Sequence, residues 1–344
     1  MVSLDRVDDP ARWDDLVRDA SGATPFHRWA WLQGHARLNG WRFEPLVAVE
    51  AGSAVGVVPL LLTRVGPLWR EAPVPFPYVG PLVPPQALDS VLEATGSWAR
   101  RHGVAVTRAD LAPGSLPDEL LAAGPLPGAP GWTWERASTY VIDLSHGSVE
   151  QFQRGVSRNL RRSVQRAERA GAVVGAATRE QVTQWLPALL TEAFGARDLP
   201  SPYPGAVGEL VWNTFAGDPD VFLGSATVDG RPAGLLVGIA EGDTTFAWAG
   251  GGFRGERELS PNALLHHELA LWAVARGSQR LDLVGSVDPG VARFKMSLGA
   301  RETPFAIGTR VHSRLWSGAR SGQRRLKALL PGRAGRGGGP DIDG

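Results

Sequence analysis

Two segments of this chain repeat one local plan at a nearly constant separation, and this repetition limits the available folds more than any other feature. Residues 48–58 (AVEAGSAVGVV) parallel residues 226–236 (ATVDGRPAGLL), 178 positions later. In each segment two apolar stretches flank a short turn that contains Gly52 or Gly230. This pattern predicts a β-hairpin in both places.

A second pair of segments follows in the same order, at an offset of 174 positions. Trp98-Ala99 precedes Gly103 just as Trp272-Ala273 precedes Gly277. We expect each glycine to end a helix, because C-terminal caps favour the left-handed backbone that glycine adopts easily, and a strand to follow. The two similar offsets indicate a duplication in which each half is α+β, a mostly antiparallel sheet flanked by helices.

The length and the loop signals agree with two halves. The 344 residues correspond to about two domains of ordinary size. A stretch rich in Pro and Gly at 113–131 predicts the junction, so we expect a first domain at 1–130 and a second at 131–316. Residues 317–344 are basic and rich in Gly, Arg and Pro, which predicts a disordered tail.

Composition excludes several classes of site. The chain has no cysteine, which excludes disulfides, thiolate zinc sites, iron–sulfur clusters and cysteine nucleophiles. Its formal net charge is +1, so affinity for nucleic acid or phosphate must come from a local patch. The N-terminus lacks the apolar stretch of a signal peptide, and no uncharged apolar run is long enough to span a membrane. These features predict a soluble, cytoplasmic protein.

A run of arginines at 154–169 is the most informative local pattern. We predict one helix from about Val149 to Ala170, with Phe152, Leu160 and neighbouring apolar residues on its buried face. The opposite face carries Arg154, Arg158, Arg161, Arg162, Arg166 and Arg169. Like charges this dense repel one another, so an anionic partner, phosphate or RNA, would relieve the repulsion. The alternative interpretation is an ordinary solvated helix face.

The segment Phe294-Lys295 is the second candidate. Only two of the 36 basic residues are lysines, Lys295 and Lys327. A lysine is a compact point charge that suits a developing oxyanion or a phosphate oxygen, although a plain surface lysine is the competing interpretation. Asp282, at the end of a predicted strand, is a candidate general base.

Two further motifs resemble known sites only in part. Residues 250–255 read G-x-G-x-x-G, but the last glycine does not open the next helix, which Ser260-Pro261 is predicted to begin, so a dinucleotide site is not expected. The segment could still bind an acyl donor through backbone amides. His266-His267-Glu268 lacks the second histidine of a zinc protease, and we predict no metal site. His267 or Glu268 remains a candidate for a pocket.

Several of these motifs, taken in order, resemble the FemAB-like group of GNAT-superfamily acyltransferases, including the proteins described as BioF2-like. The resemblance covers about residues 20–310. It is carried by PFHRWAW at 25–31, PYVGPL at 77–82, RNLRR at 158–162, LSPNALL at 259–265 and FKMSLGA at 294–300. It implies two GNAT domains in tandem, catalysis by Lys295, and phosphate contacts by Arg158, Arg161 and Arg162.

The resemblance implies transfer of an activated aminoacyl or acyl group onto an amine. One branch of the family uses aminoacyl-tRNA as the donor, and another is described as N-acetyltransferases. We favour tRNA because a helix with six arginines suits RNA better than a single pyrophosphate. Acyl-CoA is the alternative donor, although the usual [QR]-x-x-G-x-[GA] loop is missing from its place. A third hypothesis is an inactive GNAT pair that binds RNA or a partner. We expect no bound cofactor, since either donor would be a substrate.

Overall fold

The computed structural model describes residues 1–67, 69–75, 77–122, 126, 128–196, 201–285, 288–313 and 315–316. The chain divides into two compact units. The first contains Met1–Ala137 and the chain from Phe305 onward, and the second contains Ser138–Pro304. The predicted tail at 317–344 lies outside the described residues.

The secondary structure follows the predicted α+β plan. The strands are β1 (Val2–Arg6), β2 (Arg42–Glu50), β3 (Ser53–Val65), β4 (Trp69–Ala72), β5 (Val104–Asp110), β6 (Trp132–Asp143), β7 (Ala172–Ala176), β8 (Val221–Val228), β9 (Arg231–Glu241), β10 (Thr244–Gly252), β11 (Arg280–Asp282) and β12 (Arg301–Val311). The α-helices are α1 (Pro10–Asp19), α2 (Trp29–Asn39), α3 (Leu88–Arg101), α4 (Asp118–Ala122), α5 (Val149–Gly155), α6 (Arg158–Arg169), α7 (Arg179–Gly195), α8 (Val207–Phe215), α9 (Pro261–Ala275) and α10 (Pro289–Ser297).

In the first unit, β1, β2, β3 and β4 pair antiparallel in sequence order, and β4 then pairs with β5 in parallel. Residues 307–311 of β12 pair antiparallel with β5. The helix α3 connects the parallel strands, and its residues Val91 and Ala99 belong to an apolar cluster with Leu46 and Leu60 of the sheet. This unit therefore has a core of its own.

The second unit repeats this arrangement. Strands β7, β8, β9 and β10 pair antiparallel, β10 pairs in parallel with β11, and β11 pairs antiparallel with residues 141–143 of β6. Here α9 connects the parallel strands. Its Leu265, Leu269 and Ala273 are fully buried against the sheet, together with Leu160 and Val164 of α6.

Local geometry at the matched segments supports the duplication. The hairpin turns have positive φ at both central residues, 51° and 83° at Ala51-Gly52 and 50° and 74° at Asp229-Gly230. Paired positive φ angles define a type I′ turn, which matches the twist of a hairpin. Gly103 and Gly277, with φ of 65° and 85°, follow α3 and α9 as predicted. The hairpins and the glycine-terminated helices predicted from the sequence are thus confirmed.

The prediction of one helix from Val149 to Ala170 is wrong, because α5 ends at Gly155 and α6 begins at Arg158. Val156 is extended and its side chain is buried in the core. The Ser157 side chain accepts a hydrogen bond from the Leu160 amide, while its own amide donates to the Ser297 carbonyl at 2.9 Å. Capping and a contact with a remote segment therefore outweigh the helical pattern.

The boundaries of the compact units differ from the predicted domains. The first unit extends beyond 130 to Ala137, into β6. The end of β12, placed by sequence in the second domain, lies in the first unit because residues 307–311 pair with β5. Sequence patterns identify such a strand but not its partner, since pairing is a contact between remote residues.

Candidate functional site

The candidate site lies at the carboxyl ends of β10 and β11 in the second unit. These parallel strands pair only between Thr244–Phe246 and Arg280–Asp282, and β10 continues to Gly252 paired with β9 but not with β11. Ligands commonly bind where parallel strands end and their connections diverge. The predicted residues Asp282, Phe294 and Lys295 all follow or end these elements.

The backbone is strained immediately after β11. Val284 has φ of 62°, a conformation that costs a β-branched residue about 1–3 kcal/mol. Asp282 accepts a hydrogen bond from the Val284 amide at 2.6 Å, and the Lys295 Nζ donates to the Val284 carbonyl at 2.8 Å. Two of the predicted site residues thus hold the two polar groups of one strained residue.

Lys295 lies on α10, whose first turn is capped by the carboxylate of Asp288. Its side chain is buried, and its Nζ also donates to the Gly285 carbonyl at 3.3 Å and lies 5.5 Å from the centre of the Tyr140 ring. Carbonyl oxygens and a ring face both favour a cation. A surface lysine, the competing interpretation, does not describe this environment.

Asp282 is 2% exposed. Its Oδ1 accepts hydrogen bonds from the Val284 amide and from the Thr139 hydroxyl, the latter at 2.5 Å. These bonds stabilise a carboxylate and orient it toward the backbone. They suit a residue that fixes the backbone of the site.

His266 is a site residue that sequence reasoning did not select. Its ring lies 5.1 Å from the ring of Phe294, edge to face. Burial, followed by the charge of Lys295, lowers the pKa of His266 to about 4, so the imidazole is neutral at pH 7. Nδ1 donates to the Asn262 carbonyl at 2.9 Å, which leaves Nε2 as the acceptor nitrogen. The sequence signal for His266 is its position four residues after Asn262, one turn further along α9.

The predicted His267 faces elsewhere. Its ring packs 5.9 Å from that of Phe152 on α5, and its Nδ1 lies 3.7 Å from a carboxylate oxygen of Glu268. The structure therefore brings Phe294, Lys295 and His266 together, and places His267 between α9 and α5.

The arginine patch consists of six exposed residues. They are Arg154 on α5 and Arg158, Arg161, Arg162, Arg166 and Arg169 on α6. None of the six forms an ion pair with any residue that the structure describes. Arg154, Arg161 and Arg166 donate hydrogen bonds to main-chain carbonyls, in the case of Arg166 to the Glu258 carbonyl. The patch is therefore positive, and its guanidinium groups form no ion pair within the described part of the chain.

The break between α5 and α6 contacts α10, the helix that carries Lys295. The hydrogen bond from the Ser157 amide to the Ser297 carbonyl links the start of α6 to the end of α10. Gly299 packs against the Gly155 carbonyl, where an added Cβ would lie 3.1 Å from the oxygen. The break between α5 and α6 therefore lies directly against the segment that carries Lys295.

The glycine-rich end of β10 lies beside the start of α9. A Cβ on Gly252 would lie 2.9 Å from Pro261, and one on Gly251 would lie 3.3 Å from the Asn262 Oδ1. That Oδ1 is buried and has no hydrogen-bond partner among the described residues. No side chain caps the first turn of α9. The two glycines therefore allow the end of β10 to pack closely against the first turn of α9.

No group of three or more histidine or acidic side chains suited to a metal ion occurs in the described part of the chain. Among the same residues, no helix is long and apolar enough to cross a membrane.

Comparisons with known proteins concern the family and the fold. A family described as "Acetyltransferase (GNAT) domain" matches residues 154–296, which include the arginine patch and Lys295. No curated relative matches the sequence. The fold is similar to that of a structure described as FemX, with 13% identity and a TM-score of 0.67 over 88% of this chain and 96% of the other.

Two further structures have the same fold. A tandem GNAT protein from the clavulanic acid biosynthesis pathway shares 15% identity, with a TM-score of 0.55 over 91% of this chain and 99% of the other. L-PGS from Bacillus licheniformis shares 14% identity, with a TM-score of 0.57 over 94% and 98% of the two chains. The predicted tandem GNAT fold is thereby confirmed. Residues 154–296 thus match a GNAT acetyltransferase domain, which supports acyltransferase activity, and the chain has a fold similar to that of FemX.

Proposed function

We propose that this acyltransferase moves an aminoacyl group from aminoacyl-tRNA onto an amine of a small molecule or peptide. The observation that carries the proposal is the arginine patch, six exposed guanidinium groups that have no carboxylate partner among the described residues. A single pyrophosphate would occupy two or three guanidinium groups at most, whereas an RNA backbone offers a phosphate at each nucleotide. Aminoacyl-tRNA is then a substrate, and no resident cofactor takes part.

The chemistry is an exchange of one ester bond for one amide bond. The amine nitrogen forms a bond to the ester carbonyl carbon, and the carbonyl electrons move to oxygen. When this oxyanion collapses, the bond to the ribose oxygen breaks, and the proton lost by the amine ends on the departing oxygen. Negative charge thus develops first on the carbonyl oxygen and then on the leaving group. A fixed cation beside both stabilises the transition state.

Lys295 is the residue we assign to that charge. It is held in place by the carbonyls of Val284 and Gly285, so its ammonium group needs no reorganisation during the reaction. Asp282 fixes Val284 and thereby the position of the Lys295 ammonium. We retain Asp282 as a candidate general base, although its bonds to Thr139 and Val284 fit positioning better. The neutral His266 and Phe294 would line the acceptor amine.

The second candidate donor is acyl-CoA. The uncapped first turn of α9 and the glycine-rich end of β10 favour it, because free amides at a helix N-terminus bind phosphate. Under this alternative Lys295 stabilises the same oxyanion and the leaving group is a thiolate. A third alternative, a pair of domains that binds RNA without catalysis, would keep the arginine patch and lack turnover.

The donor is tested by binding of bulk aminoacyl-tRNA over a series of salt concentrations. The variant Arg158→Gln/Arg162→Gln is compared with Arg12→Gln/Arg37→Gln, which removes two exposed arginines from the first unit. Loss of two phosphate contacts should reduce the slope of log K against log salt by about 1.4–1.8. Equal slopes for the two double variants would contradict binding of tRNA by the patch, and stabilisation by acetyl-CoA alone would favour the second donor.

Catalysis is tested with Lys295→Met, which keeps the apolar stem and removes the ammonium group. We expect transfer of a labelled aminoacyl group to a pool of small amines to fall by about a hundredfold or more. Binding of tRNA by this variant should be unchanged, which separates catalysis from donor binding. Transfer within about tenfold of the unaltered chain would remove Lys295 from the mechanism.

A further inference from the structure

The first unit contains a small surface pocket outside the matched GNAT domain. Its volume is about 200 Å³, and it is lined by Trp69, Arg100, Gly103, Val104, Ala105, His312 and Ser313. The pocket lies where α3 ends and β5 begins, next to the end of β12. None of these residues belongs to the site described above, so the inference does not depend on the proposed function.

Positive charge is concentrated at this pocket. Arg100 forms no ion pair within the described chain, and its guanidinium donates a hydrogen bond to the Ser97 hydroxyl. Arg310 lies close enough that the charge of Arg100, together with burial, lowers the pKa of its guanidinium. The Arg310 Nη1 is buried and has no hydrogen-bond acceptor among the described residues. Two guanidinium groups therefore act on each other electrostatically, and neither forms an ion pair with a described residue.

The backbone leaves room for the Arg310 guanidinium. A Cβ on Gly96 of α3 would lie 2.3 Å from its Nη1, and one on Gly131 would lie 3.3 Å from its Nε. A side chain at Gly96 would displace the guanidinium, whereas one at Gly131 would require a shift of a few tenths of an ångström. The charge of Glu93 opposes that of Arg100 and raises the pKa of Arg310, and the Glu71 carboxylate accepts a hydrogen bond from the Trp316 indole.

His312 adds a polar group to the pocket wall. Its Nε2 is hydrogen bonded with the Thr107 hydroxyl at 2.9 Å, and its Nδ1 is buried without a partner among the described residues. Burial and the charges of Arg310 and Arg100 lower the pKa of His312 to about 4, so the ring is neutral at pH 7. A neutral imidazole can donate from Nδ1 when the Thr107 hydroxyl donates to Nε2. An unpaired buried donor of this kind is unfavourable until an acceptor binds.

We propose that this pocket binds the phosphate group of a small molecule, held by Arg100 and His312 in the field of Arg310. The volume of about 200 Å³ admits a phosphate or pyrophosphate group with little else, and the half-buried Trp69 offers a ring face to any attached base or sugar. The Arg100 guanidinium and the His312 imidazole both donate, and a phosphate group offers them three oxygens where a carboxylate offers two.

The test is calorimetric titration of the full chain with inorganic pyrophosphate at low salt. Arg100→Gln should weaken binding by about tenfold, whereas Arg101→Gln, which removes the same charge from the next residue of α3, should stay within about twofold. Arg158→Gln/Arg162→Gln should also stay within about twofold, because the arginine patch is a different site. His312→Gln should weaken binding and keep the fold, which circular dichroism would check.

Three outcomes would overturn the proposal: no binding by the unaltered chain, equal losses in Arg100→Gln and Arg101→Gln, or a loss confined to the patch variant. Succinate that binds as tightly as pyrophosphate would overturn the assignment to phosphate. UMP distinguishes a nucleotide from a free phosphate source. Tighter binding of UMP than of pyrophosphate, lost in Arg100→Gln, would place its ring on Trp69.

Discussion

At the scale of single residues, the bonds around Val284 connect stability with function. Two hydrogen bonds hold the strained backbone of Val284. Its amide donates to the Asp282 carboxylate, and its carbonyl accepts from the Lys295 ammonium group, so the two side chains carry opposite charges. Strained conformations persist only where the surroundings over-determine them, and they concentrate at functional sites. This loop therefore depends on the same two side chains that the proposed chemistry uses.

The contribution of Asp282 can be measured directly. In Asp282→Ala the buried Val284 amide and Thr139 hydroxyl both lose their acceptor, so we expect the free energy of unfolding to fall by about 3 kcal/mol. Asp282→Asn keeps one acceptor oxygen and should lose about 1 kcal/mol. Urea denaturation of both variants checks this prediction. Equal losses below about 1 kcal/mol in both would show that these bonds do not hold the loop.

A buried histidine in the first unit predicts a pH dependence of stability. The His27 Nε2 donates to the Gly80 carbonyl at 3.0 Å, so its Nδ1 accepts from the Thr24 hydroxyl at 2.8 Å. Burial lowers the pKa of His27 to about 4 from its ordinary value of 6.5. The unfolded chain therefore binds this proton first, and the stabilisation present above pH 6.5 is lost as the pH falls toward 4.

For His27 alone this loss amounts to about 1.5 kcal/mol between about pH 6.5 and 5. The variant His27→Gln cannot titrate, so its stability should change less with pH by that amount. The free energy of unfolding of both proteins is measured by denaturation at several pH values. Carboxylates that titrate in both proteins contribute equally, so their effect cancels in the difference. Parallel pH profiles would show that His27 is not buried in its neutral form.

At the scale of elements, the break between α5 and α6 is the feature with the largest consequence. Ser157 makes two hydrogen bonds at this break. Its side chain caps α6, and its amide donates to the Ser297 carbonyl. The cap keeps Val156 in the core and sets the arginine patch against α10. An uninterrupted helix would not form the bond to Ser297.

The cap predicts a specific order of stabilities. Ser157→Ala removes the side-chain acceptor and should cost about 1 kcal/mol, whereas Ser157→Gly should cost only a few tenths, since glycine is a tolerated cap. Equilibrium unfolding in urea resolves this difference. A glycine variant less stable than the alanine variant would contradict a capping role.

A second prediction at this scale concerns the irregular end of β10. Gly250 has φ of 125°, and a Cβ there would lie 2.1 Å from the Leu235 carbonyl oxygen. Gly250→Ala must therefore shift the backbone, and we expect it to cost about 3 kcal/mol or more. Gly255→Ala is the matched control, because nothing lies within 4 Å of its added Cβ. Thermal unfolding should separate the two variants, and equal melting temperatures would show that this strand end is not held as described.

At the scale of the whole molecule, each unit has its own core. The apolar cluster of the second unit draws all its members from residues 140–300, and the clusters around Leu46 and Leu92 lie within the first unit. A unit with its own core can in principle fold alone. The first unit, however, is discontinuous in sequence, because the chain leaves it in β6 and returns in β12.

This arrangement predicts that the fragment 138–304 folds alone. We expect one cooperative thermal transition and native-like far-UV circular dichroism, because its core is complete. The fragment 1–137 should not unfold cooperatively, since it lacks the β12 residues that pair with β5. A cooperative transition for 1–137, or none for 138–304, would contradict this division of the core.

The sequence predicted the local elements well, whereas the roles of the site residues stay predictions. Hairpin turns at Ala51-Gly52 and Asp229-Gly230 and helix ends at Gly103 and Gly277 follow from backbone preferences of the residues themselves. Lys295 stands out because lysine is rare in this chain, and its burial beside Val284 does not follow from any local pattern. His266 was missed because its proximity to Phe294 joins two helices that are remote in sequence.

The sequence by itself determined the duplicated α+β plan, the buried face of α6 and the arginine patch, because periodicity and turn chemistry act within a few residues. Only the tertiary structure decided where α5 ends, which unit receives β12, and how Asp282 and Lys295 together hold Val284. Those outcomes depend on contacts such as Ser157 with Ser297 and Thr139 with Asp282. Each stabilises the fold only once the chain has brought its two partners together, so no local pattern records it.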